Sequence, residues 1–315
     1  MLFFKILIMK NISIFVVLIV CVLGVVGQSK YFEKSISWGW VQGSNKVYFT
    51  SDTSIVMSCG SFANNTTLEK VNLLFTDQYA ENHTLINYGE DFGTFGILDF
   101  ITTPFGYAFC GWMNNEPYGT YPTYSYPYLM EVNHAGEILN HYQLSDPPYK
   151  GNGKTLLYYP ETNTYYIGGN AFTTSANPYR LVMTKITDGE IVWCRYYDDF
   201  TDRNYITDLQ PTSDGGCYVV GSVNNGTPGA NSWKGDVLFM RIDANGDIIH
   251  STTYKWGGLK AIGSRFNSFN DNSFIITGIS YGIKPLLLRI DTLGNTIWAK
   301  HYELGTALSE TVNVL

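Results

Sequence analysis

Apolar residues recur along this chain in short runs of five to eight, rich in Val, Ile, Tyr and Phe and bounded by Gly, Asn, Asp or Pro. Runs of that length and composition predict β-strands. Beyond residue 26 no stretch keeps the apolar period of an amphipathic helix. The runs come in sets with a fixed order. An apolar run ends in Gly, a variable polar loop follows, a second run leads into a tight turn, and an aromatic-rich run closes the set.

The clearest set starts at Asp214 with DGGCYVVGS, crosses the loop 223–235, continues as DVLFMRID, turns at Asn245-Gly246 and ends in DIIHSTTY. The next reads NSFIITGIS, PLLLRID, TLGN, TIWAKHY. The preceding one reads NTYYIGGNA, PYRLVMTKI, TDGE, IVWCRYY. Before it stand GYAFCGWM, YPYLMEVN, HAGE and ILNHYQL, and the most degenerate copy comes first, TSIVMSCGS, KVNLLFTD, HTLINYG. The glycines that close the first run are Gly60, Gly111, Gly169, Gly221 and Gly278, spaced by 51, 58, 52 and 57 residues. The turn glycines Gly136, Gly189, Gly246 and Gly294 are spaced by 53, 57 and 48. Two landmarks with one period establish a repeat. Gly and Asn at the turns tolerate positive φ, which tight hairpins need. Two further positions recur. Glu131, Lys185, Arg241 and Arg289 occupy one place in the second run. Asn140, Trp193, His250 and Trp298 stand four residues past the turn glycines.

A fourth strand fits ahead of each copy: FGILDFIT, KTLLYY, YITDLQPT and AIGSRFNSF. Four antiparallel strands per period of 50–58 residues predict an all-β propeller of about five four-stranded blades. A lone blade cannot bury both faces, whereas blades stacked round an axis can. The copies fall near 45–90, 91–145, 150–200, 201–256 and 257–303. SKYFEKSISWGW near the start and GTALSETVNVL at the end each look like a single blade strand. They form a partial sixth blade in one reading, and mark a truncated part of a larger surface protein in another.

The pattern D-G-G-x-Y-x-x-x-G followed by D-x-x-G-x-x-x-W resembles the secreted bacterial β-propeller repeat proteins, quinoprotein-like or kelch-like in look. Asp214 to Gly221, Asp243 to Gly246 and Asp291 to Trp298 carry the resemblance. It implies a fold and no particular activity.

The first 27 residues change the picture of where the chain works. Lys5 and Lys10 precede an apolar run from Ile12 to Val26, then Gly27 and polar Gln28. That order is a secretory signal peptide, with residues 28–315 as the propeller domain. The run is shorter than the roughly 20 residues of a spanning helix, so no membrane span is expected after cleavage. Cleavage takes two lysines and moves the net charge from −7 to −9. An acidic chain argues against nucleic acid as a partner. Hydrophobic content of 45% with only 15% charged residues excludes disorder. Cys59, Cys110, Cys194 and Cys217 sit in apolar runs, where cysteine behaves as a small hydrophobe, and most or all are expected to be unpaired.

Variable loops on a rigid scaffold are where binding residues concentrate. The loop NNEPYGTYPTYSYPY, 114–128, offers Tyr118, Tyr121, Tyr124 and Tyr126, and Trp233 lies in an equivalent loop. Such rings stack on sugars or anchor a protein partner, or else pack on their own blade. Asp198, Asp199 and Asp202 could hold a hard cation, or form a solvated acidic loop. Asp243-x-Asn245-Gly246-Asp247 has part of a calcium-loop pattern without its bidentate Glu, and is read as a turn. The histidines show no zinc spacing, and nucleophile-elbow, phosphate-loop and dinucleotide motifs are missing. No cofactor is expected. Asn64, Asn65, Asn82 and Asn225 stand in N-x-S/T sequons, relevant only in a glycosylating host. The expectation is a secreted or cell-surface, non-catalytic binding or adhesion scaffold for an extracellular protein or glycan. The alternatives are a carbohydrate-binding or carbohydrate-active propeller and a structural fragment.

Overall fold

The computed structural model describes residues 40–49, 55–63, 68–76, 83–87, 94–114, 125–144, 150–172, 179–197, 204–224, 235–255, 261–269, 272–280 and 284–302, with side chains described from 96 onward apart from 114 and 224. Among these described residues twenty strands form five antiparallel four-stranded sheets. Blade 1 holds β1 (Trp40–Phe49), β2 (Ile55–Ala63), β3 (Leu68–Thr76) and β4 (His83–Asn87). Blade 2 holds β5 (Thr94–Thr103), β6 (Gly106–Asn114), β7 (Tyr126–Asn133) and β8 (Ile138–Gln143). Blade 3 holds β9 (Lys150–Tyr159), β10 (Thr164–Phe172), β11 (Arg180–Thr187) and β12 (Glu190–Tyr197). Blade 4 holds β13 (Tyr205–Pro211), β14 (Cys217–Asn224), β15 (Gly235–Ile242) and β16 (Ile248–Tyr254). Blade 5 holds β17 (Ala261–Phe269), β18 (Ser273–Ser280), β19 (Lys284–Asp291) and β20 (Thr296–His301). The first strands of successive blades touch, β1 to β5, β5 to β9, β9 to β13 and β13 to β17, so they surround the axis. The fold is a β-propeller. The terminal segments expected to add a sixth blade lie outside the described residues.

The repeat glycines have a local cause. Each first strand carries an extra, unpaired residue part-way along, at Gly43, Leu98, Lys154, Thr207 and Ser264. Gly60, Gly111, Gly169, Gly221 and Gly278 pair with the residue just before that bulge. A bulge bends its strand and raises local twist. The bent strand lays a carbonyl on the glycine: a Cβ on Gly111 would overlap the Gly96 oxygen, and one on Gly221 the Tyr205 oxygen. The periodic glycine is therefore a close-approach position.

The core lies between blades, because alternate residues of a strand face opposite neighbours. On β6, Tyr107 and Phe109 pack with Phe100, Tyr128 and Met130, whereas Ala108 and Cys110 pack with Leu156, Tyr165 and Ile167 of blade 3. Between blades 3 and 4, Leu181, Met183 and Tyr197 meet Leu209, Val219 and Leu238. Between blades 4 and 5, Val237 and Phe239 meet Phe266, Leu286 and Leu288. Each fully buried Phe contributes roughly 2 kcal/mol of transfer free energy. Cys110 and Cys217 are buried thiols and Cys194 is half-buried. Burial pushes the Cys217 thiol well up, which keeps it protonated and inert.

Three of the outer hairpins, those of blades 2, 4 and 5, turn on one chemistry. Asp243 accepts the N–H groups of Asn245 and Asp247, both at 2.9 Å. Asp291 does the same for Leu293 and Asn295 at 2.9 and 2.8 Å, and Asn133 for Ala135 and Glu137 at 2.9 Å. Gly136, Gly246 and Gly294 supply φ of +82°, +84° and +84°. The calcium-like sequence at Asp243 thus spends its carboxylate on its own turn. These hydrogen bonds also hold the Asp243 and Asp291 carboxyls below the usual carboxylate range.

Candidate functional site

Most of the residues singled out by sequence sit on connections outside the described residues: Tyr118, Tyr121, Tyr124, Trp233, Asp198, Asp199, Asp202, Asn64, Asn65, Asn82 and Asn225. Tyr126 is described. It opens β7, pairs with Met113 and packs half-buried against the blade 2 core. Among the described residues no group of three or more His, Cys, Asp or Glu could hold a metal ion. Charge converges at two other places.

The first is the axis. The residue after the bulge is Asp99 in β5, Thr155 in β9, Asp208 in β13 and Arg265 in β17. Asp99 accepts the N–H of Phe100 and, across the blade boundary, that of Leu156, both at 3.0 Å. Asp208 repeats the arrangement with Leu209 at 3.1 Å and Phe266 at 2.9 Å. Each is a clip from one blade's inner strand to the next. Charge-assisted hydrogen bonds of this kind contribute about 1.5–3 kcal/mol each. One Arg265 guanidinium nitrogen lies 3.4 Å from Asp208 and 3.9 Å from Asp99. Blades 2, 4 and 5 therefore meet at one cation. The Thr155 hydroxyl, at the same position in blade 3, is buried with no hydrogen-bond partner. Beside it, burial lowers the pKa of Lys154, whose ammonium stands 5.0 Å over the Tyr205 ring. The sequence signal for the clips was an Asp at the same place in two otherwise apolar strands, ILDFI and ITDLQ.

The second place is a cleft of about 430 Å³ between blades 2 and 3, on the face of the hairpin turns. Glu131 of β7 and Asn140 of β8 pair across the strands and line it. From blade 3, Tyr165 donates its hydroxyl to Glu131 Oε1 at 2.7 Å. Asn140 Nδ2 reaches Oε2 at 3.1 Å, and the Tyr142 hydroxyl reaches it at 3.4 Å. Tyr158 packs on Tyr165 with ring centroids 4.6 Å apart and donates to Asn163 Oδ1 at 3.1 Å. Asn163, in the left-handed region at φ +45°, donates from Nδ2 to Asp188 at 3.1 Å. Phe105 and Leu139 stand at the edge, 60% and 47% exposed. Burial first, then the Glu131 carboxylate through its hydrogen bond and its charge, pushes the Tyr165 and Tyr142 phenols up, so both remain donors at any biological pH. Tyr158 shifts the same way, under burial and the charges of Glu131, Asp188 and Glu161.

The repeat explains why the cleft is there. In blade 3, Lys185 pairs with Trp193 at the place of Glu131 and Asn140. The Lys185 ammonium and the Trp193 indole N–H both donate to the Ala244 carbonyl on the blade 4 turn, at 2.9 and 3.2 Å. Tyr197 donates to the Gly246 carbonyl at 2.8 Å. An indole fills that junction. Asn140 is too small to fill the equivalent space, and Glu131 reverses the charge within it. The sequence showed both positions as repeat positions without showing that they pair, or that they face a boundary.

No protein-family profile matches the chain, and no curated protein is similar to it in sequence. Among solved structures, the GH93 α-L-arabinofuranosidase of Fusarium graminearum, in complex with arabinobiose, is similar in fold with a TM-score of 0.54 and 12% identity. The likeness covers 82% of this chain and 79% of that one. Prolyl oligopeptidase B of Galerina marginata gives 0.46 at 10% identity over 82% of this chain, and the Synechocystis apocarotenoid oxygenase 0.45 at 10% over 79%. The chain spans 35% of the peptidase's length and 58% of the oxygenase's. At such identities the likeness is one of fold, and that fold is the β-propeller.

Proposed function

We propose that this protein is an exported, non-catalytic binding propeller that recognises an extracellular protein or glycan through the loops of one face. One observation supports it most. The axial carboxylates Asp99 and Asp208 are each held by two backbone N–H groups and serve as clips between blades. A carboxylate so engaged is a structural element rather than a poised acid or base. The loops between second and third strands carry the tyrosines and Trp233, on a scaffold whose rigidity suits presentation of variable segments. The leader-like residues 1–27 support export. The test is binding of the exported full-chain product to arrays of extracellular glycans and proteins. Binding lost on Tyr121→Ala with Tyr124→Ala, and kept in Asp208→Asn, is the expected result. Turnover of any array ligand that disappears in Asp208→Asn would refute the non-catalytic reading.

A second reading, carbohydrate cleavage, is favoured by the sharing of Arg265 between Asp99 and Asp208, because two carboxylates within reach of one another are what glycoside hydrolysis needs. It predicts release of reducing sugar from an arabinan or related polysaccharide panel.

A further inference from the structure

We propose that the cleft between blades 2 and 3 binds an organic cation on an apolar stem, namely a primary alkylammonium of the kind carried by a lysine side chain or a polyamine. The inference goes beyond the binding reading above, because it concerns the opposite face and does not need the loops.

The argument rests on the two sister junctions. Between blades 3 and 4 the chain inserts its own cation and ring. The Lys185 ammonium sits between its strand and the neighbouring turn, 5.5 Å from the Tyr166 ring, with Trp193 alongside. Between blades 2 and 3 both of those groups are replaced. Glu131 takes the place of the ammonium and Asn140 that of the indole. The neighbouring turn then presents the Asp188 carboxylate to the cleft. A junction that is closed by a cation and an indole in one case carries a carboxylate and the smaller Asn140 in the other, and the cleft left beside them has acidic groups on two sides.

The chemistry of the lining agrees. It carries Glu131 and Asp188 and no Lys, Arg or His among the described residues. Among the described residues the donors that Glu131 receives are all neutral: Tyr165, Asn140 and Tyr142. Its charge is therefore not cancelled, and of its roughly four lone-pair sites three are used, which leaves one for an incoming N–H. The other charges that act on the cleft tyrosines, Glu190 on Tyr142 and Glu161 on Tyr158, are negative too. Phe105 and Leu139 offer apolar surface to the stem, and a cleft of about 430 Å³ is within the range of small-ligand sites, ~300–1,000 Å³.

The test is calorimetric titration of the full-chain protein with Nα-acetyl-lysine amide, its neutral isostere Nα-acetyl-norleucine amide, and spermidine. Saturable binding of the lysine derivative, at least tenfold tighter than the isostere, is expected. Glu131→Gln should weaken it tenfold or more. Asp188→Asn should weaken it several-fold, and serves if the first variant fails to fold. Asn140→Trp, which refills the space as Trp193 does next door, should abolish it. Tyr121→Ala with Tyr124→Ala should leave it unchanged, so the site stands even if the loop face binds nothing. Spermidine tighter than a lysine-containing peptide points to a free polyamine, and the reverse order to a partner protein's lysine. Equal binding of the isostere, no saturable binding, or binding untouched by Asp188→Asn and Asn140→Trp overturns the proposal.

Discussion

The junction between blades 2 and 3 and the junction between blades 3 and 4 are built on the same backbone and closed in different ways. In both, a third-strand residue pairs with an outer-strand residue beside a bulge, and in both the neighbour's hairpin turn comes up against the pair. Lys185 and Trp193 fill the later junction and hydrogen-bond to it. Glu131 and Asn140 leave the earlier one open. The inner edges differ in the opposite sense. Asp99 clips blade 2 to blade 3 through the Leu156 amide, whereas blade 3 has only the unpartnered Thr155 hydroxyl at the corresponding place. The earlier junction is thus clipped at the axis by Asp99 and held at the turn face by the Tyr165–Glu131 hydrogen bond, whereas the later lacks the axial clip and is closed at the turn face by Lys185, Trp193 and Tyr197. A repeat scaffold tolerates this because its stability is close to a sum of neighbour terms. A residue can be released for binding at one boundary provided another term holds that boundary.

The largest break in the comparison comes from removing the clip. Asp99→Ala leaves two backbone N–H groups without acceptors at the junction that has no indole, and should cost about 3–5 kcal/mol. The same change at Asp208 removes the clip between blades 4 and 5 and leaves Arg265 with less compensation. Urea unfolding of the two variants measures both losses. A loss under about 1 kcal/mol in either would mean the clips are incidental.

Trp193→Asn converts the later junction to the earlier pattern at that residue. It removes an indole that packs on Tyr166 at 5.8 Å and donates to Ala244, and should cost about 2–4 kcal/mol. The reciprocal Asn140→Trp should change the unfolding free energy by less than about 1 kcal/mol, because it fills space without displacing a core residue. A large loss on Asn140→Trp would show that the cleft is already full. Tyr165→Phe removes the 2.7 Å hydrogen bond to Glu131 and should cost about 1.5–3 kcal/mol.

The smallest effect concerns the third version of the pair, Arg241 with His250. Burial first, then the Arg241 charge, lowers the His250 pKa from 6.5. A histidine with a lowered folded pKa prefers to be neutral in the native state, so the unfolded chain takes up the proton first. Stability is complete above about pH 6.5, falls as pH drops through that value, and levels off below the folded pKa. His250→Gln should flatten that part of the profile of stability against pH. An unchanged slope would place the titration elsewhere.

How much of this was legible beforehand depends on which interaction each feature serves. Strands, turns and the period were legible because they are local: a run of apolar residues, a Gly, an Asn or Asp before it. The glycine ladder was visible as a spacing, although its cause, the bulged carbonyl of the first strand, needed the register. Glu131 and Asn140 were visible as two repeat positions. That they pair and face a boundary depends on which residues of adjacent strands are opposite, and the sequence does not carry that. Asp99 and Asp208 looked like single acids in apolar strands, since their amide partners lie 57 and 58 residues away. The tyrosines expected to bind stand on connections, and only Tyr126 falls among the described residues, packed on its own blade.

The most direct measurement is carboxyl footprinting of the full-chain protein, with mass-spectrometric readout of each labelled Asp and Glu. An open acidic cleft beside a locked axis predicts ready labelling of Asp188, measurable labelling of Glu131 that an added alkylammonium suppresses, and protection of Asp99 and Asp208. Asp99 and Asp208 labelled as fast as Asp188, with Glu131 silent, would contradict both halves of the account at once.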